Sequence, residues 1–170
     1  NFGAKHPAVA QCLTDLGATH HALNDDAKAE SFLQRALELK EQNLPPDDPA
    51  LLPALNNLAA VEAAKGDFAK AEALLERGLK NAEKNFGPDD PKTAESLDKL
   101  ADLHQKKGDP ARALPLAERA EKIDEKAAGP DSPFEISRVA PNRATALYVD
   151  AGAIKDLGLD RTEVERGLAL

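Results

Sequence analysis

The chain repeats itself with a period of 42 residues. Similar stretches begin at Asn1, Asn43 and Asn85. A proline recurs with the same spacing, at Pro7, Pro49, Pro91 and Pro133. A constant period of about 20 to 50 residues indicates a solenoid, in which each unit packs only against its neighbours. The sequence therefore predicts a single array of repeats 1–42, 43–84 and 85–126, closed by a degenerate capping repeat at 127–170.

Each unit has the pattern of two helices joined by a tight turn. The recurring proline suits the first position of a helix, where its missing N–H leaves no bond unmade, and Asp48 and Asp90 precede it as N-caps. The first helix is expected to end at a residue that accepts the left-handed conformation, and an aspartate then caps the second helix. These pairs are Asn24 with Asp25, Gly66 with Asp67, and Gly108 with Asp109. So short a turn forces the two helices to pack antiparallel.

Apolar residues follow helical rather than strand spacing. The chain is 42% hydrophobic but only 4% aromatic, and alanine and leucine supply most of the apolar residues, which favours helix. The first helix of unit one carries Leu13, Leu16 and Gly17 on one face, and the next units repeat the pattern. One hairpin cannot bury such a face, whereas stacked neighbours can.

Cys12, the one cysteine, excludes an intramolecular disulfide and is expected to be a small buried residue.

Taken together, these residues resemble the tetratricopeptide repeat (TPR). The closest match is the stretch LNNLAAVEAAKGDFAKAEALLERGL at residues 55–79, and the 42-residue spacing with its GPDDP linker is similar to the kinesin light chain type of TPR. The resemblance implies an all-α superhelix, a TPR solenoid of antiparallel helix hairpins. The chain departs from the family near the end of the first helix, where TPR proteins usually carry a tyrosine and this sequence has His20, Glu62 and His104.

The resemblance also implies a binding surface, because the first helices of TPR proteins line a concave groove in which partner peptides usually bind. By repeat position, the groove residues of this chain are Asn56, Asn57, Thr14, Asp15, His21, Asp98, Lys99, Asp102 and Lys106. Asn56 and Asn57 are the leading candidates, since an amide side chain both donates to and accepts from an extended peptide backbone. Glu72 and Lys80 are expected on second helices, away from the groove. The alternative is that these polar residues are ordinary solvated side chains.

No motif of an enzyme, a metal site or a cofactor site is recognisable. His20 and His104 hold the same position two repeats apart, and helices that pack about 8–10 Å apart would separate them by roughly 20 Å. The GPDDP linker lacks the ligand series of a calcium loop and the glycines and lysine of a phosphate loop. Cys12 has no histidine at a spacing that suggests a catalytic pair. The sequence therefore predicts no enzymatic activity, no metal and no cofactor.

The net charge of −8 is spread evenly along the chain. Without a basic patch, nucleic acid and anionic membranes are unfavourable partners, and no apolar run approaches the length of a membrane span. The sequence contains no methionine, so the chain is expected to be a fragment of a longer protein. The compartment stays open, with the cytoplasm favoured and the periplasm as the alternative.

The leading functional hypothesis is a non-enzymatic scaffold that binds a protein or peptide partner in the concave groove. Two alternatives remain open at this point. One is a regulatory or spacer arm of a larger enzyme or signalling protein, and the other is a self-association module that acts through its end repeats.

Overall fold

The computed structural model describes residues 7–128, and this range forms six α-helices and no strand. The helices are α1 (Pro7–Ala22), α2 (Asp26–Asn43), α3 (Leu52–Ala64), α4 (Phe68–Phe86), α5 (Pro91–Lys106) and α6 (Pro110–Ala128). Consecutive helices pair as the hairpins α1–α2, α3–α4 and α5–α6, and the second helix of each hairpin packs on the first helix of the next. The predicted all-α stack of helix hairpins is confirmed.

The turn inside each hairpin has one repeated backbone geometry. Its central residue is left-handed, with φ of 59° at Asn24, 86° at Gly66 and 75° at Gly108. The aspartate that follows donates its backbone N–H to the carbonyl five residues earlier, over 2.8–2.9 Å, which satisfies a carbonyl at the end of the first helix. Its carboxylate accepts the backbone N–H three residues further on, over 3.1–3.4 Å. The predicted turn residues and N-caps are confirmed in all three hairpins.

The start of α3 differs from the start of α5. Asp48 and Asp90 both cap as predicted, each accepting a backbone N–H two residues ahead over 2.9 Å. After Asp48, however, the chain forms a 3-10 turn at Pro49–Leu51 before α3 begins. The reason is Pro53, which has no N–H to bond the carbonyl of Pro49 in an α-helix. The N–H of Leu52 bonds that carbonyl instead, so the first turn is tighter.

Apolar clusters join the hairpins to one another. Leu58 packs with Leu33 between the first and second hairpins, and Leu100 packs with Leu75 between the second and third. Leu58 and Leu100 are each only 3% exposed. Inside the first hairpin the two helices approach closely at Gly17, where an added Cβ would lie 2.4 Å from Cγ of Leu33. Stacking therefore buries the apolar face that one hairpin leaves uncovered.

Two side chains on α1 depart from the expected burial. Cys12 is exposed and Leu16 is 45% exposed, although the equivalent residues one repeat later, Ala54 and Leu58, are buried. The physical reason is that no hairpin precedes α1 within residues 7–128, so nothing in this range covers that side of the helix. The expectation that Cys12 is buried is therefore wrong.

The predicted capping repeat at 127–170 lies outside the described residues, except for the last two residues of α6. The division of the chain into repeats with this terminal unit therefore stays a prediction.

Candidate functional site

The first helices of the second and third hairpins, α3 and α5, enclose a groove. It consists of two adjoining cavities of about 250 Å³ and about 310 Å³. Asn56, Asn57 and Lys99 line both cavities, so they lie at the middle of one continuous groove. Leu75 and Leu103, which are both buried, and three alanines give the smaller cavity an apolar floor. The groove thus combines an apolar floor with polar groups at its centre, which is the usual composition of a ligand-binding cleft.

The two walls of the groove differ in charge. On the α3 side the lining residues are prolines, leucine, alanines and asparagines, without an ionised group. On the α5 side Lys92, Lys99 and Lys106 stand seven residues apart, and therefore on the same side of the helix. Lys99 pairs with Glu95 over 2.9 Å, and Lys92 Nζ lies 4.1 Å from the ring centre of Phe86. Much of the charge at this end of the groove is therefore already matched within the chain.

The other end of the groove keeps its charges available. Asp102 and Lys106 line the smaller cavity, and neither has an ion pair or hydrogen bond from its side chain within residues 7–128. A carboxylate and an ammonium group beside an apolar floor can contact either sign of charge on a partner. This end is therefore suited to recognise side chains, while the centre is suited to recognise a backbone.

Asn56 reaches into the groove floor because of a glycine on the neighbouring helix. Its Oδ1 is buried and has no hydrogen-bond partner among the described residues. A Cβ on Gly78 of α4 would stand 3.2 Å from this oxygen, so glycine leaves room for the amide. Buried polar atoms are nearly always hydrogen-bonded, and leaving one unpaired costs free energy. Asn56 Oδ1 is therefore a buried acceptor beside α4 that has no hydrogen-bond partner among the described residues.

The structure brings only some of the predicted groove residues together. Those that line the two cavities are Asn56, Asn57, Lys99, Asp102 and Lys106. The others, which do not line them, are Thr14, Asp15, His21 and Asp98. Thr14 is only 2% exposed and donates its hydroxyl to the carbonyl of Ala10 over 2.9 Å, so its side chain is not on the surface.

The remaining predicted residues already have contacts inside the chain. Asp15 accepts a hydrogen bond from Gln11 over 2.9 Å, and His21 Nδ1 lies 2.6 Å from a carboxylate oxygen of Asp26. Asp98 is half-buried and also has a partner within the chain. Repeat position alone could not separate these residues from the groove-lining ones, because each contact depends on neighbours that differ between units.

Sequence reasoning missed the part that the linker plays in the groove. Phe86, the last residue of α4, and Pro49, in the turn before α3, line the larger cavity, although neither was among the predicted groove residues. A signal was present, because the position of Phe86 is also apolar in the other units, as Phe2 and Leu44. A repeated apolar residue in a polar linker indicates that the linker packs against something.

Equivalent acidic residues on α2 and α4 link each hairpin to the next. Glu30 lies 2.5 Å from Lys65 and 3.4 Å from Lys70. The hydrogen bond from Lys65 holds the pKa of Glu30 below its usual value, and the same bond raises the pKa of Lys65. One repeat later Glu72 pairs with Lys107, whose hydrogen bond likewise lowers the pKa of Glu72. Glu72 lies on a second helix as predicted, but this structural pairing makes it unsuitable as a neutral comparison for groove substitutions.

Within residues 7–128, no three histidine, cysteine or carboxylate side chains lie close enough together to hold a metal ion. None of the helices in the same range has the length and apolar character that a membrane span needs.

The repeated hairpins match a known sequence family. The family model described as Tetratricopeptide repeat matches residues 1–42 and 51–126. A search of curated protein sequences finds no significant match.

Solved structures of similar fold agree with the family match. BtubC (BKLC) from P. vanneervenii superposes with a TM-score of 0.75 at 21% identity, covering 94% of this chain and 64% of BtubC, so the chain spans less than two thirds of that protein. A kinesin light chain protein with nearly identical TPR-like repeats from Podosopora anserina superposes with a TM-score of 0.69 at 20% identity, and the match covers 92% of this chain and 79% of the other. The TPR domain of Arabidopsis FLU superposes with a TM-score of 0.60 at 20% identity, and the match covers 70% of this chain and 97% of the FLU domain. At these identities the likeness shows the fold alone.

Proposed function

Because the chain belongs to the tetratricopeptide repeat family, we propose that it is a protein-interaction scaffold whose α3–α5 groove binds a peptide or protein partner. The family membership supports a protein–protein interaction module in general. The observation that carries the finer proposal is the position of Asn56 and Asn57, which line both cavities of the groove.

The chemistry of the groove favours an extended segment of the partner. Asn57 is half-buried at the centre of the groove, where its amide can donate to a carbonyl and accept from an N–H of the same backbone. Asn56 lines the same part of the groove, and its Oδ1 is buried beside α4. The alanines and Leu103 beneath leave space for small apolar side chains of the bound segment. Asp102 and Lys106 then add recognition of charged side chains at one end.

The groove can be tested without knowing the natural partner. Peptides are selected from a random phage-displayed library against the full chain, and their affinity is measured by calorimetry. Changing Asn56→Ala and Asn57→Ala together should weaken binding by about tenfold or more, since each lost backbone hydrogen bond costs about 0.5–1.5 kcal/mol. Asn57→Ala alone should give a smaller loss in the same direction.

A matched control is available on α4. Glu76 and Lys80 are exposed there and do not line the groove. The double variant Glu76→Ala with Lys80→Ala should bind the selected peptides as the unchanged chain does. Thermal unfolding of every variant separates lost binding from lost structure. If the asparagine variant is folded and binds unchanged while the α4 variant loses binding, the groove proposal is wrong.

The finer statements about activity and partners are part of the same proposal. The TPR family and the kinesin light chain-like structures are typically non-catalytic, and we take this chain also to be no enzyme. Its net charge of −8, which is spread evenly along the chain, supports a protein partner rather than nucleic acid or an anionic membrane. A purely spacer role would make the α3–α5 groove indifferent to substitution, so the peptide experiment separates that alternative from the scaffold.

A further inference from the structure

Gly78 is a buried glycine in the interior of α4, where glycine is an unfavourable residue. Unlike Gly66 and Gly108, it does not have a positive φ, so no turn requires it. Glycine in the interior of a helix is less stable than alanine. The equivalent residues of the other two units are Ala36 and Ala120, which are both buried. The second unit therefore has glycine at this position for a reason other than backbone conformation or helix stability.

The side chains that face Gly78 explain why alanine is absent. An added Cβ would lie 3.2 Å from Oδ1 of Asn56 and 3.3 Å from Cδ1 of Leu52. The position of Leu52 is an alanine in both other units, and the position of Asn56 is Thr14 in the first unit and Asp98 in the third. The missing methyl group of Gly78 thus leaves room for two α3 side chains that occur together only in the second unit.

The space at Gly78 also decides which end of the Asn56 amide is buried. Oδ1 is buried beside α4 and has no hydrogen-bond partner among the described residues. Nδ2 of the same side chain is not buried in this way, and Asn56 lines both cavities of the groove. The oxygen of an amide only accepts hydrogen bonds, whereas its NH2 group only donates them.

We propose that Gly78 is a positioning residue for the α3–α5 groove, because it holds Asn56 with its NH2 group turned towards the bound partner. Asn56 then acts as a hydrogen-bond donor, and it selects a carbonyl oxygen of the bound segment rather than an N–H group. This inference rests on the proposed function and deepens it by giving Asn56 a single role. Asn57, which is half-buried at the same place, can still donate and accept.

The competing explanation is that Gly78 only makes room for Leu52, which is a purely structural role. The two explanations differ in what happens when Asn56 is absent. If Gly78 acts through Asn56, a substitution of Gly78 has no further effect on binding once Asn56 is alanine. If Gly78 acts through Leu52, the same substitution weakens binding in both backgrounds. A double-mutant cycle therefore separates them.

The cycle is measured by calorimetry on the full chain, with a peptide selected against the unchanged chain from a random phage-displayed library. Gly78→Ala should weaken binding by about three- to tenfold, because the displaced amide loses one hydrogen bond to the peptide. In the Asn56→Ala background, Gly78→Ala should change the affinity by less than about twofold. Thermal melting shows that each variant is folded before its affinity is interpreted.

Two further variants test the donor role without relying on Gly78→Ala alone. Asn56→Asp replaces the NH2 group by an oxygen of similar size, and Asp98 already occupies the equivalent position of the third unit. It should weaken binding at least as much as Asn56→Ala does, since an acceptor cannot bond a carbonyl oxygen. Gly78→Ala with Asn56→Thr recreates the Ala36 and Thr14 combination of the first unit, and this variant should fold but bind no better than Asn56→Ala.

Three outcomes would overturn this inference alone. They are a folded Gly78→Ala variant that binds as the unchanged chain does, an equal effect of Gly78→Ala with and without Asn56, and full affinity of Asn56→Asp. Each of them leaves the groove proposal standing if Asn56→Ala with Asn57→Ala weakens binding. If that double variant binds unchanged, the groove proposal fails, and the positioning role of Gly78 fails with it.

Discussion

Glu62 is an ionisable side chain with only 1% of its surface exposed. It stands where the family usually has a tyrosine, near the end of the first helix. Its carboxylate lies 2.5 Å from Lys70 and 3.6 Å from Lys65, and the hydrogen bond to Glu62 is the largest cause of the raised pKa of Lys70. Burying a carboxylate is costly unless it is paired. The position therefore depends on electrostatic pairing where the family uses an aromatic contact.

Glu62→Gln should lower the free energy of unfolding by about 1–3 kcal/mol, because it replaces the ion pairs with Lys70 and Lys65 by a neutral contact. The loss stays moderate because Lys65 and Lys70 are partly exposed and keep Glu30 as a partner. Urea unfolding of the variant measures the change, with exposed Glu76→Gln as the matched control. A variant as stable as the unchanged chain would show that the carboxylate contributes nothing to the fold.

At single residues, prediction succeeded where backbone conformation decides the residue type. Gly66 and Gly108 were predicted because only a few residues accept a left-handed turn, and that demand is local. The exposure of Cys12 was not predictable from its own helix, because burial there depends on whether another hairpin covers it. The surroundings of Glu62 were equally hidden, since they combine residues from three helices.

At the scale of helices, ion pairs in repeat register connect one hairpin to the next. The signal for them was present in the sequence, because Glu30 and Glu72 recur with the same period as Lys65 and Lys107. It is found only when acidic and basic positions of neighbouring units are compared together. Helix ends were predictable from their caps, except that Pro53 delays the start of α3 in a way that the regular repeat did not indicate.

The ion pairs give the stability of the stack a defined pH dependence. The pKa values of Glu30 and Glu72 are lowered on folding, by hydrogen bonds from Lys65 and Lys107 respectively. As the pH falls, the unfolded chain therefore binds protons before the folded chain does. The stabilisation by these ion pairs is fully present above the ordinary glutamate pKa of 4.5, and it is lost as the pH falls through the lower pKa of the folded chain.

The double variant Glu30→Gln with Glu72→Gln should therefore be less stable than the unchanged chain at pH 7, by up to about 1 kcal/mol for each pair. The difference should shrink as the pH falls below 4.5 and vanish once both carboxylates are protonated. Melting temperatures measured from pH 7 to pH 3 follow the difference directly. A gap between the two chains that is the same at every pH would contradict the pairing.

At the scale of the whole molecule, the period predicted the architecture, which is confirmed, whereas binding on the side of the first helices stays a prediction from the resemblance. The period is a global property, so stacking of hairpins followed from it without any knowledge of individual contacts. The groove followed from family likeness rather than from the residues themselves. Its actual lining depends on Gly78 and Phe86, which lie on α4, and no pattern within α3 or α5 could indicate their contribution.

The central claim is that partners bind between α3 and α5, and an NMR titration tests it most directly. The isotopically labelled full chain is titrated with a peptide selected against it, and signals are followed residue by residue. The account predicts the largest shifts for the side-chain amides of Asn56 and Asn57, with backbone shifts in α3 and around Lys99 and Lys106, and small shifts at Glu76. Largest shifts along α2, α4 and α6, with the two asparagine amides unmoved, would contradict it.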